Sequence, residues 1–190
     1  MAKKILAILF LLAAIHFGPF SQAVPVNDKA DIEGVVIRQE RGNLEVSFQV
    51  NNCFTPTMEE AVLSGVTTTF RMLVVLEKSG YALIQPSVVE VVLEHSVKYD
   101  LLKKEFRVQL PEHPDKVCYT KDFEEAKHLM SVVRDLPVMP LHRLKKDQRY
   151  RLRLKAELSK LKSPLFLRYI FFFVSLWDFE TDWREAPFSL

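Results

Sequence analysis

Histidine and cysteine are the residue types in this 190-residue chain best suited to metal binding, nucleophilic attack or proton transfer. Beyond residue 23 the histidines are scattered without HxH or HxxxH spacing, at His95, His113, His128 and His142. His113 and Cys118 are close in sequence, but two residues do not make a zinc site, which takes three or four protein ligands. We therefore predict no metal site and no cofactor. His95 falls on the apolar side of a predicted strand, where a hydrogen-bonded core histidine is expected.

Short catalytic signatures give no support for an enzyme. The chain has no GxSxG sequence, no Walker loop and no nucleotide-binding glycine fingerprint. Its five glycines also offer little material for phosphate-binding loops. Hydrolase triads assemble from residues far apart in sequence, so an enzyme stays as the third hypothesis behind two binding functions.

Cys53 and Cys118 leave two alternatives open. In an oxidising compartment they could form a single disulfide. They could equally be two separate buried thiols, because disulfide geometry decides and the sequence does not show it.

A basic row is the clearest surface feature, with alternate cationic side chains on one predicted strand at Arg149, Arg151, Arg153 and Lys155. It could bind anionic lipid headgroups, cell-wall polymers or an acidic partner. Alternatively, cross-strand pairing with acidic residues such as Glu90 and Glu94 would neutralise it, and this is the reading we favour.

An aromatic segment at residues 165–177 is apolar except for Arg168 and Ser175, and it is too short to span a bilayer as a helix. We expect it to be part of the core. The alternative is an exposed surface for a partner or a membrane, formed by Phe166, Tyr169, Phe172 and Phe173. Arg168 would suit such an interface because a long cationic side chain can reach water.

The elements that would position these residues are mostly strands. Residues 87–110 alternate apolar and polar side chains on both sides of a turn near residues 101–103, which predicts a β-hairpin with one dry face. Such patterning favours antiparallel sheets, because parallel sheets are usually covered on both faces. We therefore predict a mainly β fold, an antiparallel β-sandwich with two short helices, in a single domain over residues 24–190.

The remaining elements follow in order. Strands are predicted at residues 32–38, 44–50, 66–77 and 148–159, with a last one within 178–190. A first helix should begin at a Thr57–Glu60 capping box and end at Gly65. A second should start at Asp122, continue through Val133 and be ended by Pro137 and Pro140.

The first 23 residues resemble a secretory signal peptide. Two lysines precede an apolar run, and Ser21 and Ala23 are small residues at the −3 and −1 positions of a cleavage site after Ala23. We expect an exported, periplasmic protein; the alternative is an uncleaved segment that anchors the chain in the inner membrane. Removing Lys3 and Lys4 from the 26 basic side chains leaves 24 against 24 acidic ones. A nucleic-acid binder would normally show a basic excess, so none is predicted.

Several blocks of sequence together resemble a known family, in order and in spacing. They are residues 58–61, Gly65, Val66 and Phe70, then residues 97–100 and 106–108, then 123–126, 135–138 and 150–153, and finally 177–183. This pattern is similar to the exported bacterial family called domain of unknown function 4390, and it covers nearly all of the chain after residue 23. The resemblance implies an exported protein of Gram-negative type. It also implies an association with sensor kinases of the nitrogen-regulation type, beside which relatives are often encoded, but it carries over no catalytic residue.

These observations predict a non-enzymatic periplasmic binding or interaction module, which could modulate a membrane sensor. Its partner would be an envelope or inner-membrane protein, and it could also contact the membrane surface. The alternative is a carrier of a lipid or another apolar ligand, with the aromatic segment lining a slot between the sheets. An enclosed apolar cavity would favour the carrier, whereas a filled core with an exposed patch would favour the interaction module.

Overall fold

The computed structural model describes residues 29–80, 87–113, 115–159 and 179–189. The predicted signal segment and the aromatic segment with Phe166, Tyr169, Phe172 and Phe173 lie outside the described residues. Within the described part the chain forms nine strands and two α-helices. In chain order they are β1 (Asp31–Glu40), β2 (Asn43–Asn51), α1 (Pro56–Leu63), β3 (Thr68–Lys78), β4 (Ser87–Asp100), β5 (Glu105–Gln109), β6 (Val117–Thr120), α2 (Phe123–Ser131), β7 (Val132–Pro140), β8 (Tyr150–Leu158) and β9 (Arg184–Phe188).

The strands form two antiparallel sheets, which confirms the mainly β fold with two helices. The smaller sheet has the order β1-β2-β7, and the larger has the order β6-β5-β4-β3-β8-β9. The smaller sheet lies against the larger one, with β1 near β8 and β9 and with β7 near β4. Two facing antiparallel sheets give the sandwich-like arrangement that the alternating patterns predict.

The core lies between the sheets and is filled by large side chains. Tyr150, Phe70, Leu44, Met58 and Met72 are all fully buried there. Aromatic rings form a continuous chain of contacts through this core, with centroid separations between 4.6 and 6.4 Å, in the order Phe179, Phe70, Phe54, Phe123, Phe106 and Tyr99. Because Phe54 precedes α1 and Phe123 opens α2, the rings fasten both helices to the larger sheet.

The predicted hairpin is confirmed as β4 and β5. Leu93, His95 and Val97 are buried, whereas Glu90 and Glu94 are exposed on the other face. Residues 101–104 form the turn, and the strands pair from Ser96↔Gln109 to Asp100↔Glu105. The period-two pattern therefore identified both the strands and their dry face.

The helix ends differ from prediction. Thr55 caps α1, not Thr57: its hydroxyl accepts a hydrogen bond from the Met58 N–H at 3.2 Å. Pro56 explains the difference, because proline is favoured in the first turn, where its missing N–H leaves nothing unsatisfied. Gly65 closes the helix at φ +85°, as predicted, a value that favours glycine.

The predicted extent of the second helix is wrong. Asp122 caps α2 as expected, but α2 ends at Ser131 and the chain continues directly as β7. Val132 and Val133 pair with Gln49 and Phe48 of β2, so sheet pairing replaces another helical turn. Pro137 and Pro140 did not end a helix; they lie in an edge strand, where a missing N–H is tolerated.

Candidate functional site

The basic row on β8 is paired, and its partners are not those that we expected. Glu90 and Glu94 lie on β4, and β3 separates that strand from β8. Arg151 and Arg153 instead bind Glu77 of β3 at 3.0 and 3.1 Å. Both arginines also reach Glu185 of β9, at 3.1 and 3.5 Å. Two arginines and two glutamates thus form a closed ionic ring across three neighbouring strands.

Neighbouring groups complete the neutralisation of this row. The Arg153 guanidinium lies 4.4 Å from the ring centroid of Trp183, and the Lys155 ammonium lies 5.6 Å from it. Lys155 also forms an ion pair with Glu180. Arg149, at the start of the row, is exposed and has no ion pair within the part of the chain that the structure describes. The row therefore joins β3, β8 and β9 and is not an open basic patch.

His95 is a fully buried histidine with a hydrogen-bond partner at each ring nitrogen, which agrees with the predicted hydrogen-bonded core histidine. Its Nδ1 lies 3.0 Å from the carbonyl oxygen of Met130, at the end of α2. Its Nε2 lies 2.7 Å from Oε1 of Glu112, in the loop after β5. The Glu112 side chain is only 9% exposed, and its Oε2 has no hydrogen-bond partner among the described residues. One histidine thus fastens β4 to a helix end and to a loop.

The geometry around His95 fixes where its protons lie. Nδ1 must donate its proton to Met130, because a carbonyl oxygen only accepts. A second proton must then lie between Nε2 and Glu112. Burial raises the pKa of Glu112, but the hydrogen bond and charge of His95 outweigh it and hold that pKa below its ordinary value. The Glu112 carboxyl is therefore ionised at neutral pH, and the His95 ring lies between this carboxylate and the negative end of α2.

Cys53 and Cys118 are both free thiols in this structure, which therefore contains the separate thiols and not the disulfide, the two alternatives that the sequence left open. Cys53 is buried after β2, whereas Cys118 is half-buried on β6. Burial raises the pKa of the Cys53 thiol to about 12. Because the thiolate is the nucleophilic form, this thiol is unreactive at neutral pH.

The remaining histidines do not gather into a site. His113 lies in the β5–β6 loop, His128 on α2 and His142 in a short 3₁₀ turn at Leu141–Arg143. Within the described ranges, no three or more His, Cys, Asp or Glu side chains are grouped in a way that could hold a metal ion. His113 and Cys118 are therefore not joined by further ligands there.

A polar groove of about 590 Å³ lies where the ends of β1 and β2 meet the two helices. Val50, Cys53 and Phe54 contribute apolar surface to it. Its ionisable side chains come from three elements, and they are Asp31 and Glu33 from β1, Glu59 from α1, and Glu124, Lys127 and His128 from α2. Sequence reasoning missed this groove, since residues about 100 positions apart meet only after the sheets and helices have packed.

Lys127 is held between the helices by two carboxylates. Its ammonium lies 2.8 Å from Glu59 and 2.7 Å from Glu124. Burial lowers the pKa of Lys127, but the hydrogen bonds to Glu124 and Glu59 outweigh it and raise that pKa above its ordinary value. Lys127 is therefore a permanent cation that fixes the spacing of α1 and α2.

The β1 side of the groove keeps a negative charge. Glu33 accepts a hydrogen bond from the Asn51 side chain at 2.8 Å, which leaves its charge in place. Among the described residues, neither Asp31 nor Glu33 has a cationic side chain within ion-pair distance. The groove can therefore receive a cation or a positively charged segment along this wall.

A second concave region, of about 490 Å³, lies beside the β4–β5 turn and is lined by both charged and apolar side chains. It includes Lys98, Arg107, Leu101 and Tyr119. Neither of these two regions is an enclosed apolar cavity, the feature that a carrier of an apolar ligand would need. The slot imagined for such a ligand involves residues 165–177, which lie outside the described part.

Comparison with known proteins places the chain in a family but gives it no activity. In the described part, no helix has the length and apolar character needed to cross a membrane. The chain matches no curated protein and no solved structure. Residues 27–187 match a family model described as Domain of unknown function (DUF4390). Because this match covers most of the sequence, the chain belongs to the DUF4390 family.

Proposed function

We propose that this chain is a non-enzymatic binding module of the bacterial envelope, exported to the periplasm, which binds a protein partner through the polar groove. An uncleaved N-terminal segment that anchors the chain in the inner membrane is the alternative arrangement. The partner would be an envelope or inner-membrane protein. A sensor kinase of the nitrogen-regulation type is the candidate that the family resemblance suggested.

The state of the most reactive side chains supports a role without catalysis. His95 is 0% exposed, and both of its ring nitrogens already have partners, so it has no free nitrogen with which to reach a substrate. Cys53 borders the groove but keeps its proton. A general base or nucleophile must be able to contact the reacting group, and neither residue meets that condition.

The charge of the groove carries the proposal and suggests the chemistry of the partner. Asp31 and Glu33 form an acidic wall that no cation of the described residues opposes, and Lys127 is already paired with Glu59 and Glu124. A segment with one or two lysines or arginines would therefore be attracted to the β1 wall, while its apolar side chains contact the half-buried Phe54. The β1 strand also lies at a sheet edge, where an extended segment could pair with its backbone.

Native mass spectrometry of the protein purified gently from its own envelope tests this proposal. We expect a complex with a stoichiometric protein partner, which an Asp31→Lys/Glu33→Lys double variant abolishes. A matched control, Glu90→Lys/Glu94→Lys, makes the same charge change on the exposed face of β4 and should keep the partner. The same spectrum gives the mass of the mature chain and so reports whether cleavage follows Ala23.

Two results would contradict the proposal. The first is a bound lipid-sized mass that the groove variant retains, which would support the carrier. The second is loss of the protein partner in both double variants alike, because this would show that overall charge, and not the groove, decides binding.

A further inference from the structure

The β4–β5 turn exposes apolar side chains that a soluble surface rarely carries together. Leu101 is 60% exposed and Leu102 is 95% exposed at consecutive positions. Tyr119, on the neighbouring strand β6, is 61% exposed and lines the same concave region as Leu101. We call Leu101, Leu102 and Tyr119 the apolar tip. An exposed apolar cluster of this kind marks a contact surface more often than an isolated exposed leucine does.

The turn that carries the apolar tip has a well-defined backbone. Asp100 accepts hydrogen bonds from the N–H groups of Leu102 and Lys103 at 2.9 and 3.0 Å. The Lys104 N–H donates to the carbonyl oxygen of Asp100 at 2.8 Å, with Lys104 in the left-handed region at φ 53°. The two leucines are therefore held outward by a closed turn.

Lys98, Lys103 and Arg107 line the concave region beside the apolar tip together with the carboxylates Asp100 and Glu105, and two of these cations repel each other. Lys98 and Arg107 lie directly opposite each other in the β4–β5 ladder. Like charges in that position repel and destabilise a sheet. Within the described ranges, Lys98, Lys104 and Arg107 are exposed and have no carboxylate within ion-pair distance; Lys103 reaches only Glu105, at 3.7 Å. An external anion between Lys98 and Arg107 would relieve this repulsion.

We propose that the apolar tip and its surrounding cations form a docking surface for an anionic lipid membrane. Lipid phosphates would lie between Lys98 and Arg107, and Leu101 and Leu102 would enter the boundary between headgroups and acyl chains. Tyr119 has the amphipathic ring that is enriched at this depth. The combination of exposed leucines with flanking cations is the chemistry by which peripheral proteins bind anionic bilayers. This docking would hold the module on a membrane independently of the groove.

Flotation of the exported protein with phosphatidylglycerol-containing vesicles tests the surface. We expect binding that weakens with salt and is absent with pure phosphatidylcholine. Leu101→Ser/Leu102→Ser and Lys98→Glu/Arg107→Glu should each weaken it by about tenfold or more. Lys145→Glu/Lys146→Glu is the matched control; it makes the same charge change at exposed positions after β7 and should bind as the wild type does.

A second measurement does not depend on whether the N-terminal segment is retained. In a Leu102→Trp variant, lipids brominated near the headgroup should quench the added fluorescence. Val92→Trp, on the exposed face of β4, should show no added quenching. The inference is overturned if Leu102→Trp is quenched no more than Val92→Trp. It is equally overturned if both tip variants float like the control, or if the tip captures a protein or a second copy of the chain without binding vesicles.

Discussion

Two basic regions of this protein differ in whether their charges have partners. On β8, Arg151 and Arg153 form a closed ring with Glu77 and Glu185, and Lys155 pairs with Glu180. At the β4–β5 turn, Lys98 faces Arg107, and among the described strands no carboxylate is paired opposite either. The first region is a joint between three strands, whereas the second is an open surface.

The difference shows that strand order, and not the number of cations, decides what a basic stretch does. The β8 row alternates along one strand in the sequence, whereas the cations of the turn region are divided between β4, the turn and β5. Glu77 of β3 and Glu185 of β9 flank β8 on either side, so its arginines gain carboxylates from both neighbours. Lys98 has Arg107 of β5 opposite it on one side. On the other side β3 begins at Thr68, opposite Val97, so it places no residue opposite Lys98.

Loss of the buried His95–Glu112 pair should lower the free energy of unfolding more than changes in the ionic ring or at the turn do. His95→Ala removes a side chain that is fully buried and leaves Glu112 without its partner. We expect a loss of about 3 kcal/mol in the free energy of unfolding, from the cavity and from the unpaired buried carboxylate together. Urea denaturation measures it, with the exposed residue Glu90→Ala as a control that should change stability by less than about 0.5 kcal/mol.

The same pair should make the free energy of unfolding decrease at acid pH. Because the folded pKa of Glu112 is lowered from its ordinary 4.5, the ionised carboxylate contributes stability above that pH. This contribution is lost as the pH falls through the lower, folded value. The wild type should therefore exceed Glu112→Gln in stability by more at about pH 5.5 than at about pH 3.5, with the difference shrinking below pH 4.5. A difference that is independent of pH down to pH 3 would show that folding does not lower the pKa of Glu112.

Variants of the ionic ring on β3, β8 and β9 should cause the next largest loss of unfolding free energy. Glu77 is buried and has two arginine partners, so Glu77→Gln leaves two cations sharing only Glu185. We expect a loss of about 2 kcal/mol in unfolding free energy, measured in urea. Glu185→Gln should cost about 0.5 kcal/mol, because that carboxylate is far more exposed. Equal losses for the two variants would contradict the account of a ring fixed mainly through Glu77.

The smallest effects should come from the unpaired cations at the turn. Lys104→Gln and Arg107→Gln should each change the unfolding free energy by less than about 0.5 kcal/mol. Arg107→Gln should be neutral or slightly stabilising, because it removes the repulsion from Lys98. Urea denaturation at low salt is the appropriate measurement, since salt screens this repulsion. A loss above 1 kcal/mol would show that Arg107 has a structural role like that of Arg151.

Local patterns in the sequence predicted the strands well and the helix ends less well. The alternation along β4 identified both the strand and the buried His95, because side chains on a strand alternate between its two faces. The transition from α2 to β7 was missed because residues 123–133 keep helical spacing while residues 132–140 pair with β2. Such pairing is a tertiary effect that overrides a local pattern.

The candidate site depended even more on tertiary structure. The acidic partners of the β8 row could not be identified, because the sequence does not reveal that β3 lies between β4 and β8. The groove draws Asp31, Glu59 and Lys127 from three elements, and only the packed fold brings them together. The sequence did indicate that charges would be neutralised on β8, because the chain after residue 23 is formally neutral.

Site-specific photocross-linking in the native envelope tests the central claim most directly. A photoreactive residue at Gln49, which lines the groove, is compared with one at Arg149, which is exposed at the start of the β8 row. The account predicts a defined protein adduct from position 49 and none from position 149. An adduct from position 149 alone would contradict it, because the β8 row, and not the groove, would then be the binding surface.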